Sequence, residues 1–99
     1  MGQTIEIKRV TPVGRVLVVD TDRSLTGQDG ESFTGKQTAG QIDTFAARLA
    51  VRLFEADPEV DYVHVMSNTV SVRRRRDWDD DSMAASSEVV AEFFRVYPD

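Results

Sequence analysis

The stretch that decides the fold is Ala47–Arg76, ARLAVRLFEADPEVDYVHVMSNTVSVRRRR, followed at once by Asp77-Trp78. Its first part completes an apolar stripe: Ile42, Phe45, Ala46, Leu49, Ala50, Leu53 and Phe54 recur at helical intervals of three and four residues. That spacing puts them on one side of an α-helix, with Arg48, Arg52 and Glu55 on the other. Asp43 near the start and Arg52 near the end suit the helix dipole. Asp57-Pro58 stops the helix, because a residue before proline is pushed out of the helical region. Val60–Val65 and Thr69–Arg73 then alternate around Ser67-Asn68, the signature of a β-hairpin. Val63 and Val65 share one face of the first strand, and Val70 and Val72 one face of the second; His64 points the other way, with Ser71 across the turn.

Outward from this centre, Thr4–Val10 alternates as a half-buried strand, with Ile5 and Ile7 on one side. Thr11-Pro12-Val13-Gly14 reads as a turn, and the β-branched run Arg15–Asp20 as the return strand. Residues 21–41 are polar, hold Gly27, Gly30, Gly35 and Gly40, and read as loop, with Glu31-Ser32-Phe33-Thr34 as a short edge strand. Asp79, Asp80, Asp81 and Ser82 offer capping oxygens to a closing helix over residues 82–97, whose apolar side is Met83, Val90, Phe94 and Tyr97, flanked by Val89 and Phe93. The order β-β-(β)-α-β-β-α predicts one α+β domain spanning residues 1–99: an antiparallel sheet of about four strands with two helices packed on one face.

Composition narrows the function. With 40% hydrophobic and 29% charged residues the chain is a folded globular one. No apolar run nears the roughly 20 residues of a membrane-spanning helix, and no apolar segment follows a basic start, so the expected compartment is the cytoplasm. The net charge of −5 repels nucleic acid on average. Zero cysteines exclude disulfides, thiolate nucleophiles and thiolate metal sites, and a lone histidine, His64, excludes a closed nitrogen–sulfur zinc site.

Several motifs resemble the N-terminal domain of the Nfu/NifU-type iron–sulfur scaffold proteins. Leu53-Phe54-Glu55 closes the long helix as in that family, and Val60, Val63 and Val65 take strand positions that it fills with aliphatic or aromatic residues. Thr69-Val70-Ser71-Val72 is similar to its second strand, and Asp77-Trp78 to the DW junction before its last helix. Thr11-Pro12 resembles the start of a family motif reading TPNPN, which Val13-Gly14-Arg15 then departs from. The family's cluster is held by a CxxC pair in a second domain. These cysteine-free residues cannot themselves carry a cluster, since thiolates hold the iron. What the resemblance implies is docking: a protein partner, a cysteine-bearing iron–sulfur carrier, met without cofactor, bound metal or catalysis.

The residues expected to meet that partner are Arg73, Arg74, Arg75, Arg76 and Trp78, together with the long 21–41 loop. On a strand the arginines split between two faces, and the neighbouring acids Asp77, Asp79, Asp80 and Asp81 offset their field. A phosphate or nucleic-acid site at Arg73–Arg76 is one alternative. A carboxylate iron site at Asp77–Asp81, with His64, is another. Asp77, Asp79, Asp81 and Glu88 mimic the spacing of a calcium-binding loop, but Ser82 stands where that loop needs glycine, and capping explains the acids better. Trp78 reads either as a cover over the core beside Phe93 and Phe94 or as an interface anchor. His64 has no oriented acid, and the glycines form no phosphate loop, so no catalytic residue is expected.

Overall fold

The computed structural model describes residues 7–22 and 30–96, with side chains through Phe93. Along the chain run β1 (Ile7–Val13), β2 (Val16–Thr21), β3 (Glu31–Phe33), α1 (Lys36–Gly40), α2 (Phe45–Ala56), β4 (Val60–Met66), β5 (Thr69–Arg74) and α3 (Asp80–Val96). The five strands form one antiparallel sheet in the order β1-β2-β5-β4-β3. The fold is α+β; the short edge strand expected at residues 31–34 is present as β3, making five strands, and α1 is one helix more than the sequence predicts.

The first hairpin is shifted from its expected position. Val13 pairs with Val16 across a two-residue turn at Gly14-Arg15, so Thr11, Pro12 and Val13 belong to the strand. Gly14 has φ +61 while Arg15 keeps a negative φ, the signs of a type II′ turn with glycine at its first central position. Pro12 fits inside β1 because its missing N–H falls on the outer side of an edge strand. The second hairpin turns at Ser67-Asn68 as the sequence predicts, with Met66 opposite Thr69. Asn68 is fastened to the end of β2: its side-chain amide donates to the Thr21 carbonyl, and its own carbonyl accepts from the Thr21 N–H and hydroxyl. The expected strand start at Thr4–Glu6, Gly27 and Tyr97 lie outside the described residues, as does the side chain of Phe94.

Helix α2 begins later than its stripe suggests. Thr44 is the N-cap, its hydroxyl accepting from the Ala47 N–H at 3.1 Å while donating to Glu31 at 2.7 Å. Ile42 therefore precedes the helix and is 41% exposed, leaving Phe45 through Phe54 to form the packed side. The 21–41 stretch, expected to be loop beyond its edge strand, also holds α1, which tucks Ala39 into the core. Asp57, extended before Pro58, ends α2 and accepts the Glu59 N–H.

Alternation in the strands then sorts the residues. Leu17, Val19, Phe33, Val63, Val65, Val70 and Val72 face inward and join Leu49, Leu53, Val90 and Phe93 from the helices. Each fully buried leucine or valine there contributes about 1.5–3 kcal/mol relative to exposure. Phe45 meets Phe93 edge to face at 4.9 Å, joining α2 to α3. All of this packing lies on one side of the sheet. The other side has no helix over it among the described residues.

Candidate functional site

The uncovered side follows from the register. Every second residue of each strand points there, and partners across strands line up in rows. The middle row runs from Thr11 through Val18, Ser71 and His64 to Ser32. One end row holds Val13, Val16, Arg73 and Tyr62, and the other Arg9, Asp20, Thr69 and Met66. Val13 is 61% and Met66 44% exposed, two of the three large apolar side chains most open to solvent among the described residues.

Polar contacts fix the aromatic part of this face. The Tyr62 hydroxyl donates to Ser32 Oγ at 3.1 Å, and Ser32 Oγ lies 2.6 Å from His64 Nδ1. Among the described residues no carboxylate bonds to the imidazole. The serine–histidine contact presents hydrogen-bonding groups on the backbone of paired strands. The Arg73 guanidinium lies 5.1 Å from the Tyr62 ring centre and donates from Nε to Asp61 at 2.9 Å.

The four arginines are divided, as alternation along a strand requires. Arg73 is on the open face. Arg74 faces inward and is only 7% exposed. Its Nε stands 2.9 Å from Asp57 Oδ2, a close ion pair whose N–H is not aligned for a hydrogen bond. Its Nη1 donates to the Asp77 carbonyl at 2.6 Å and to Ser82 Oγ at 3.3 Å. Arg75 and Arg76 lie past the end of β5 and are exposed, Arg76 within 3.5 Å of Glu59. Of the four arginines expected to meet a partner, Arg74 is thus withdrawn from the surface, because strand alternation turns every second side chain inward and Asp57 at the end of α2 supplies the countercharge.

Trp78 is half-buried against the core, its indole N–H donating to the Arg15 carbonyl and its ring 5.3 Å from the Arg74 guanidinium. It anchors the first hairpin's turn to the start of α3. The acids that follow serve the helix. Asp79 Oδ1 accepts the Ser82 N–H at 2.7 Å, and the Asp79 N–H donates to Ser82 Oγ at 2.9 Å, a reciprocal cap. These bonds to Ser82, with Arg74 nearby, hold the Asp79 carboxyl below the usual carboxylate range. Among the described residues no group of three or more histidine, aspartate or glutamate side chains is placed to hold a metal ion. No described helix is long and apolar enough to cross a membrane.

Reasoning from sequence placed His64 opposite Ser71 but missed Ser32 and Tyr62 as its companions. Tyr62 shares the alternation of His64 and was open to detection; Ser32 depends on the pairing of β3 with β4, across thirty residues of chain.

No protein-family model matches the chain, and no curated protein sequence matches it. In backbone arrangement it is similar to protein SAV1430 from Staphylococcus aureus, whose crystal structure aligns with a TM-score of 0.61 over 86% of this chain and 96% of that one. The sequences are 15% identical over that alignment, so the likeness concerns the fold.

Proposed function

We propose that this chain is a non-enzymatic docking module of the cytoplasm, similar to the N-terminal domain of Nfu/NifU-type scaffolds, that receives a cysteine-bearing protein in iron–sulfur cluster assembly or delivery. The observation that carries the docking reading is the sheet with helices on one side only among the described residues. Its other side presents Tyr62, His64, Met66 and Arg73 from paired strands, so a partner meets a surface whose backbone is already ordered and loses little entropy in ordering it. The iron–sulfur assignment is supported by the sequence resemblance at Leu53-Phe54-Glu55, Thr69–Val72 and Asp77-Trp78.

The contact set differs from the run Arg73–Arg76 with Trp78. Arg73, Arg75 and Arg76 are exposed, Arg73 beside Asp61 and Arg76 beside Glu59, whereas Arg74 and Trp78 support the surface from behind. Phosphate binding through the run draws on fewer groups, since Arg73 is paired with Asp61 and Arg74 with Asp57.

The test is a tagged pull-down from native extract with the wild-type chain and with a Tyr62→Ala, Arg73→Glu variant. Wild type is expected to recover cysteine-bearing cluster carriers or desulfurase-complex proteins, and the variant to lose them. Recovery of nucleic acid alone, or equal recovery by both chains, would overturn the reading.

A further inference from the structure

We propose that the open sheet face also binds a second copy of this chain, the two sheets packing face to face with their strands crossing at nearly a right angle. The inference goes beyond the docking reading and does not depend on who the protein partner is. Charge is the first reason to choose this occupant. The chain carries a net −5, yet the face is balanced: Arg9 stands across from Asp20, and Arg73 is paired with Asp61. Asp80 and Asp81 begin α3 and Asp79 caps it, on the side that the helices cover. Two copies meeting through this face thus join neutral surfaces and keep their acidic turns apart.

The layout of the face supplies the second reason. Val13 and Met66, its two exposed apolar side chains, occupy opposite corners: Val13 ends β1 beside the first turn, and Met66 ends β4 beside the second. They are three strand spacings apart across the sheet and two same-face steps apart along it, about 14 Å in each direction. A nearly square patch packs on its own image through a two-fold axis along the other diagonal. That operation lays Val13 of each copy on Met66 of the other, and it brings the two Arg9 side chains to one end of the axis with Asp20 of the opposite copy beside each of them, and the two Tyr62 rings to the other end. It also turns the strands through about 90°, one of the two arrangements in which sheets stack.

Area sets the strength. Roughly a dozen same-face positions, at about 33 Å² of sheet each, give about 400 Å² per copy. Side-chain relief carries the pair toward the roughly 1,000 Å² at which specific interfaces begin. The dimer is therefore weak and concentration-dependent.

The absence of cysteine makes the test clean. Val13→Cys and Met66→Cys chains, differently tagged, are mixed and oxidised. The expected product is a mixed V13C–M66C disulfide dimer in several-fold excess over either like pair; random pairing, or none, overturns the proposal. Sedimentation equilibrium of the purified cysteine-free protein provides the second arm. Asp20→Arg is expected to weaken self-association about tenfold, and adding Arg9→Asp to restore it, with circular dichroism unchanged throughout. Wild type that stays monomeric at millimolar concentration, or an exchanged pair that does not recover, overturns it too. Both arms use this chain alone, so their failure is distinct from failure to find a docking partner.

Discussion

Replacing Arg74 with alanine should cost the fold far more than any other arginine in the run. Its side chain and that of Asp57 are 8% and 10% exposed. Without the guanidinium, the buried Asp57 carboxylate keeps only the Glu59 N–H at 2.9 Å, and the Asp77 carbonyl loses a 2.6 Å donor. Removing one partner of a buried ion pair costs about 3–5 kcal/mol, against a total stability of about 5–15 kcal/mol for a domain of this size. Trp78, the sole tryptophan and in contact with Arg74, reports unfolding by its fluorescence. With a urea slope near 1 kcal/mol/M for a small protein, the midpoint should fall by about 3–5 M. Arg73→Ala and Arg75→Ala should shift it by well under about 1 M, as exposed positions do. Arg74→Met combined with Asp57→Leu should recover most of the loss, because apolar groups of similar volume can replace a buried pair. A midpoint shift for Arg74→Ala no larger than for Arg75→Ala would refute the reasoning. A double variant as unstable as the single one would place the cost elsewhere, in the contacts to Asp77 and Trp78.

Other perturbations read other parts of the account. Thr44→Ala removes the cap of α2 and should lower stability by about 1 kcal/mol in urea unfolding, with no change in the sheet's circular dichroism. Gly30→Ala should destabilise more than Gly14→Ala: both have positive φ, but an added Cβ at Gly30 meets the Val65 carbonyl at 2.8 Å and Met66 Cβ at 2.9 Å, whereas Gly14 faces open space. The left-handed strain alone costs about 1–2 kcal/mol, so thermal midpoints should rank wild type, then Gly14→Ala, then Gly30→Ala. Asp79 has its folded pKa lowered from 3.8 by its bonds to Ser82. Its stabilisation is thus present above that value and lost as pH falls through the lower folded one. Asp79→Asn should flatten the acid limb of a stability-against-pH curve below about pH 4 and leave its alkaline side unchanged in shape.

Much of the fold was legible because its signals are local. The stripe from Phe45 to Phe54 fixes α2, alternation around Ser67-Asn68 fixes the central hairpin, and the capping acids before Ser82 fix the start of α3. What escaped depends on distant partners or on short segments. Helix α1 spans five residues ending in Gly40, too few for helical periodicity to register. Ile42 extended the apolar spacing by one more step, yet Thr44 caps the helix after it. Pro12 suggested a turn, because proline is tolerated in a strand only where its nitrogen faces away from the ladder, and an edge position cannot be read from sequence alone. The same limit applied to the site. Four consecutive arginines read as surface until the register turned Arg74 inward onto Asp57, and the Ser32–His64 contact exists only because β3 pairs with β4.

The most direct test of the central claim, that the open sheet face is the working surface, is photo-crosslinking from defined positions in native extract. A photoreactive residue is placed at His64, in the middle of that face, and in a second chain at Ala84, exposed on α3. The account predicts a covalent adduct from position 64 to a cysteine-bearing protein of iron–sulfur cluster assembly and none from position 84. Such an adduct from position 84, with position 64 silent, would contradict it.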